Sequence, residues 1–258
     1  MGVELAVGNA ASHWTAMAGA RGWERLDGLG FTAFRADAVH RVLLEARPVP
    51  DPGAVRAELA ALFRAWESPR VCVEDPTQAL DLADLGFEPA LSMPVMVRPA
   101  GPVTARAGVR PLADPELVRA GEACSEADLA EAERVVVEGF PIGQRLPWRR
   151  GGQFPRSYEG LPGRRSWLAR VDGHAAAACV TYDDGVTVGF YWVATLPEFR
   201  SRGAARAVML AALDAHPDRA ATLTATLLGE PLYRRLGFTE RALARWWQSP
   251  ASSPRPPR

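Results

Sequence analysis

Arg200-Ser201-Arg202-Gly203-Ala204-Ala205 is a run whose residue types suit an anion. The sequence predicts a helix from Gly203 to His216, stopped by Pro217. The first N–H groups of a helix have no partner inside it and lie at the positive end of its dipole, which favours phosphate. Gly203 lacks a Cβ, so the backbone there can approach a ligand. Arg200 and Arg202 supply fork-shaped donors that match phosphate oxygens. Ala204, Ala205 and Ala207 favour a helix, and Val208, Met209, Leu210 and Leu213 give it an apolar face. A plainer reading is a surface helix with a basic start. Some thirty residues on, Tyr233 offers a phenol, a proton donor at neutral pH with a pKa of about 10. Its plainer reading is a half-buried packing tyrosine.

Two further segments widen the pattern. Val193-Ala194-Thr195-Leu196-Pro197 precedes the arginine turn, and Tyr233-Arg234-Arg235-Leu236-Gly237-Phe238 follows the helix. In this order and spacing the chain resembles the GNAT superfamily of acetyl-CoA-dependent N-acetyltransferases. The resemblance covers residues 165–247 strongly and 105–165 more loosely. It implies that Val193, Ala194 and Thr195 form the strand whose backbone pairs with the pantetheine arm. It implies that Ser201, Arg202, Gly203, Ala204, Ala205 and Arg206, with Arg200, cradle the pyrophosphate of acetyl-CoA. Tyr233 then protonates the coenzyme A thiolate as general acid.

The chain departs from that family pattern twice. Gly189 stands where many members carry a basic carboxylate, and Thr226 stands where many carry an asparagine, its hydroxyl able to do part of that cofactor-side job. A primary amine has a pKa near 10, so some group must take its proton before attack. The candidates are Glu138, Asp183, Asp184 and His174, none with a motif behind it. Asp183-Asp184-Gly185 reads more simply as a hairpin turn and His174 as the start of a strand. Glu138 ends an amphipathic helix just before Gly139-Phe140-Pro141-Ile142, where the resemblance places the acceptor pocket. It reads as a substrate-side residue or as a plain helix-face carboxylate.

Composition excludes several classes. The 30 basic and 30 acidic residues balance, which removes a broad electrostatic case for nucleic acid or membrane partners. Every basic residue is arginine, so neither a catalytic lysine nor a Walker-type loop is available. Cys72, Cys124 and Cys179 are too few and too scattered for a zinc site or a disulfide framework, and the four histidines lack ligand spacing, so no metal is expected. No signal-peptide pattern and no run of about 20 apolar residues occurs, which points to a cytoplasmic protein.

The elements that must position these residues read as mixed α/β. Strands are expected at Arg106–Leu112, Ser166–Val171, Ala175–Tyr182, Val186–Ala194, Ala221–Leu227 and Phe238–Gln248. Ser125 caps a helix running to Glu138, residues 141–165 form an acceptor-side loop, and Gly229–Leu236 is a short helix. Ser249–Arg258 is expected to be disordered. Leu85-Gly86-Phe87 lies 151 residues before Leu236-Gly237-Phe238, preceded by helix Gly53–Trp66 and strand Val71–Glu74. This echo suggests a degenerate GNAT-like domain over 1–100, with Leu82 at the position of Tyr233, joined by Pro99–Thr104 to a GNAT domain over 105–248. Such a chain is a monomeric pseudo-dimer or a homodimer.

The expected activity is transfer of an acetyl group from acetyl-CoA to a primary amine in one ternary complex, with no covalent acyl-enzyme. The acceptor, a small-molecule or peptide amine, is left open. Two readings compete with it: a non-catalytic coenzyme A or acyl-CoA binder, and a structural protein without a cofactor. No G-x-G-x-x-G follows a strand, which argues against a dinucleotide-dependent oxidoreductase.

Overall fold

The computed structural model describes residues 2–47, 51–66, 70–103, 117–140 and 145–249. In chain order the first elements are α1 (Val3–Arg21), β1 (Glu24–Gly28), β2 (Phe31–Arg35), β3 (His40–Leu44), α2 (Pro52–Trp66), β4 (Val71–Asp75) and β5 (Glu88–Arg98). Next come β6 (Val118–Glu122), α3 (Glu126–Gly139), α4 (Arg156–Glu159), β7 (Arg164–Val171), β8 (His174–Asp183) and β9 (Thr187–Thr195). The chain closes with α5 (Ala204–Asp214), β10 (Ala220–Thr224), α6 (Glu230–Arg235) and β11 (Thr239–Gln248). The expected strand at Arg106–Leu112 and the tail from 250 onward lie outside the described residues.

Two compact units result. The first comprises Met1–Met96, Thr224–Leu227 and Glu240–Arg258; the second comprises Val97–Leu223 and Leu228–Thr239. The last strand, however, belongs to the first unit from Glu240 on, so the units are not two consecutive stretches of chain.

In the first unit the strand order is β1-β2-β3-β4-β11-β5. β1 and β2 form an antiparallel hairpin, β3 and β4 run parallel across the α2 crossover, and β11 lies antiparallel to β4 with Arg245 opposite Asp75. Phe31, Val42, Leu59, Val73, Leu82 and Trp247 meet in its core. A half-buried ion pair joins Arg41 to Glu74, and Trp14 stacks on the Arg41 guanidinium at 4.3 Å. The Leu-Gly-Phe turn closes with Leu85 N donating to Leu82 O, Gly86 N to Ala83 O and Phe87 N to Leu82 O. Gly86 takes φ 83°, which only glycine adopts without strain.

In the second unit the order is β10-β9-β8-β7-β6. β6 to β9 are mutually antiparallel, and β10 joins parallel to β9 after α5, as a parallel pair requires. The β7–β8 hairpin turns on Asp172 and Gly173, with φ of 52° and 80°, the two positive values that match strand twist. The β8–β9 turn holds itself together: Asp183 Oδ1 accepts from Gly185 N, and Asp184 Oδ1 accepts from Val186 N and Thr187 N. Asp183 and Asp184 are therefore turn-forming residues, as their spacing suggested. Ser125 caps α3 by accepting from Asp128 N at 3.0 Å. Here too the Leu-Gly-Phe turn closes with Leu236 N donating to Tyr233 O, Gly237 N to Arg234 O and Phe238 N to Tyr233 O. The apolar run after β10 ends its strand early, at Thr224. Leu227 and Leu228 are 73% and 92% exposed, so no apolar cover extends it.

Side chains alternate across β7 and define two environments. Trp167 donates its Nε1–H to Thr181 Oγ1 and lies edge-on to His216 just past α5. Arg164, three positions earlier and therefore on the other face, stacks on Tyr158 of α4.

Candidate active site

The site is organised by an interruption in β9. The parallel ladder to β10 runs only from Thr187 opposite Ala220 to Gly189 opposite Thr222. From Phe190 to Thr195, β9 has no β10 partner among the described residues, while β8 continues to pair with it through Ala177 opposite Thr195. On the β8 side the register slips between Ala178 and Val180, which leaves Trp192 and Val193 as a bulge across from Cys179. Trp192 adopts φ 48°, unusual for a bulky side chain and a mark of local strain. Val193, Ala194 and Thr195 thus present a backbone edge that β10 does not pair, next to a bulge. Such an edge accepts an extended ligand as an added strand.

The arginine turn follows within a few residues. Pro197–Phe199 forms one 3-10 turn, Ser201 takes φ 61° and Gly203 takes φ 85°. No side chain caps α5, and its first backbone bond runs from Ala207 N to Gly203 O. The amides of Ala204 and Ala205 at its mouth have no partner inside the helix. Ala204 is buried and Ala205 and Arg206 half-buried, so the mouth is backbone-lined rather than crowded by side chains. Arg200 is exposed. Arg202 donates to Asp172 Oδ2 at 2.6 Å and lies 5.7 Å from the Phe199 ring, so one edge of its guanidinium is already engaged.

Tyr233 lies in α6 and is 7% exposed. Burial pushes its phenol well above the usual 10.0, and the Cys179 thiol beside it pushes in the same direction. Cys179 is the β8 residue opposite the β9 bulge. The Tyr233 ring packs on Phe238, which in turn meets Phe190 of β9. Thr226 lies exposed between β10 and α6. Glu138 is exposed and accepts from Arg134 Nη1 one helical turn earlier at 2.7 Å, an ordinary helix-surface pair. The end of its helix nevertheless touches the site: a Cβ on Gly139 would stand 3.2 Å from the Thr195 carbonyl. His174 begins β8 and is exposed. Gly189 faces Tyr182 and Thr222 across the ladders and brings no carboxylate.

The sequence reading missed Glu133. It is fully buried in α3, and its carboxylate binds the loop before α4. Oε1 accepts from Gln153 N and Phe154 N, each at 2.8 Å; Oε2 accepts from Gly151 N at 2.7 Å and Arg150 Nη1 at 3.2 Å. Arg150 also reaches Glu159 and Glu126. This clamp sets Phe154 and Tyr158 against Trp192, with ring centroids 5.4 Å and 6.1 Å from it. The available signal was Glu133 itself, a carboxylate on the apolar stripe of an amphipathic helix. The three cysteines are free, and no cluster of potential metal ligands occurs among the described residues.

A bulged strand with an unpaired edge leads into an uncapped helix mouth, and a buried tyrosine follows on α6. A family model described as the acetyltransferase (GNAT) domain matches residues 162–240, which hold all three features. The chain therefore contains a GNAT acetyltransferase domain. Solved structures agree on the fold. A GCN5-related N-acetyltransferase from Kribbella flavida is 20% identical with a TM-score of 0.68, over 97% of this chain and 96% of that one. A GCN5-related N-acetyltransferase from Sphaerobacter thermophilus is 19% identical with a TM-score of 0.58, over 88% and 83%. A tandem GNAT protein from the clavulanic acid biosynthesis pathway is 13% identical with a TM-score of 0.56, over 87% and 79%. No curated protein matches the sequence.

Proposed function

We propose that this protein transfers an acetyl group from acetyl-CoA to a primary amine. The observation that carries the reading is the unpaired β9 edge at Val193–Thr195 leading directly into the uncapped mouth of α5. The residues present fit the co-substrate. Ser201 and Gly203 hold the positive φ values that turn backbone amides toward one side of the loop, and Ala204 and Ala205 leave room for a diphosphate. Arg200, Arg202 and Arg206 add positive charge, and Arg202 retains donors beyond the one given to Asp172. When bound, acetyl-CoA supplies the activated acyl group. Trp192 and Val193 at the bulge orient the thioester end, and a backbone N–H there polarises the carbonyl. Tyr233 holds a proton at its phenol oxygen for the departing sulfur, and its raised pKa keeps that proton in place throughout the neutral range. Neither Cys179 nor Cys72 suits a covalent acyl-enzyme, because burial pushes both thiols up.

Release of coenzyme A across an amine panel, with Tyr233→Phe alongside, tests this reading. Tight acetyl-CoA binding without turnover of any amine would favour the binder alternative, in which Tyr233→Phe changes nothing. We also read the first unit as a degenerate GNAT-like half. Both Leu-Gly-Phe turns close with the same three bonds at a spacing of 151 residues, and Leu82, in the place of Tyr233, is a core residue without a hydroxyl.

A further inference from the structure

Arg164 opens β7 and is 7% exposed. Its guanidinium lies 4.9 Å from the Tyr158 ring and 5.2 Å from the Phe154 ring. Among the described residues no carboxylate pairs with it, and its Nε and Nη2 are buried without a hydrogen-bond partner. These two nitrogens share one edge of the planar group, the edge that meets a carboxylate with two parallel bonds. Ser166, two positions on and therefore on the same face, is 2% exposed, and its Oγ likewise has no partner. The two rings offset part of the cost of burying this cation, but they leave the Nε–Nη2 edge without an acceptor.

Position gives the arrangement its meaning. One layer of rings, Phe154 and Tyr158, separates the guanidinium from Trp192, the bulge residue beside the unpaired strand edge. The ring layer sits on and just after the loop that Glu133 clamps.

We infer that Arg164 is a specificity-determining residue that binds an anionic group of the acceptor. The acceptor class is then a small amine that also carries a carboxylate, held by Nε and Nη2 with Ser166 Oγ as a third donor. The inference rests on the transferase reading above and narrows its acceptor.

The test uses the full chain with matched pairs: glycine, β-alanine and 4-aminobutyrate against their amides. Coenzyme A release is expected to favour the best acid over its amide by roughly 100-fold in kcat/KM. Arg164→Gln should remove that preference, mainly through KM, and leave the affinity for acetyl-CoA unchanged. Arg164→Lys should keep part of it. Acids and amides turned over alike, or an Arg164→Gln loss equal for both sets, would overturn the inference while the transferase reading stands. A second readout needs no turnover: the acids should raise the melting temperature of the wild type but not of Arg164→Gln. That selective shift without acetyl transfer would retain the anion site and remove the transferase reading. No acid-dependent shift in the wild type overturns the site.

Discussion

Replacing Glu133 by glutamine tests the clamp that holds the loop before α4. The substitution keeps the volume and one acceptor oxygen. In the less costly orientation the amide oxygen takes the place of Oε1 and still accepts from Gln153 and Phe154. The new NH2 then stands at Oε2, facing Gly151 N–H at 2.7 Å and Arg150 Nη1 at 3.2 Å. Arg150 can turn to Glu159 and Glu126, which it already touches. Gly151 N–H cannot turn, and a buried donor without a partner costs about 1–3 kcal/mol. The two retained bonds also lose their charge assistance. The total is about 2–4 kcal/mol. For a chain of this size that is a melting-temperature drop on the order of 5–15 °C. Thermal denaturation followed by circular dichroism measures it, and hydrogen exchange at Gly151, Gln153 and Phe154 localises it. Acceptor KM should rise because Phe154 shifts, while acetyl-CoA affinity holds. A melting temperature within about 1 °C of wild type, with the three amides still protected, would refute the argument.

Tyr233→Phe should lower kcat by roughly 10²–10⁴-fold and leave acetyl-CoA affinity unchanged, read by coenzyme A release and calorimetry. Because burial raises the Tyr233 pKa above 10.0, the wild-type rate should show no loss from its ionisation as pH climbs toward that value. Gly203→Val forces a β-branched residue to φ 85°; it should cost about 1–2 kcal/mol or more of stability and weaken acetyl-CoA binding, both seen in melts with and without the ligand. His216 is 8% exposed; burial, with Arg165 and Arg219 adding and Asp183 opposing, holds its folded pKa below 6.5. The unfolded state therefore binds the extra proton first, so the stability His216 contributes is complete above 6.5 and is lost as pH falls below it. His216→Gln should flatten that acid-side decline in urea melts.

The second half of the chain was largely legible because its elements are locally consistent. β7, β8 and β9 begin and end within about two residues of their expected bounds, since Asp172-Gly173 and Asp183-Asp184-Gly185 are strong turn signals. Ser125 and Gly203 marked their helix starts for equally local reasons. α1 carried no such signal. Asn9 and His13 sit fully buried on it, so its inward face is not an apolar stripe and its periodicity is hidden. β1, β2 and β3 also went unread: β1 has three charged residues in five and no buried side chain, and β3 is buried along its last three residues instead of alternating.

What the sequence by itself determined was local: a glycine- and arginine-rich turn before α5 and a phenol on the short helix after β10, both written in neighbouring residues. Tertiary structure decided what those groups face. The bulge at Trp192 exists only as a register slip against β8, the Glu133 clamp joins residues some twenty positions apart, and β11 leaves the unit that precedes it in the chain for the other. Each depends on which partner a strand or a buried polar group finds in space, and pairing of that kind is not encoded by spacing along one segment.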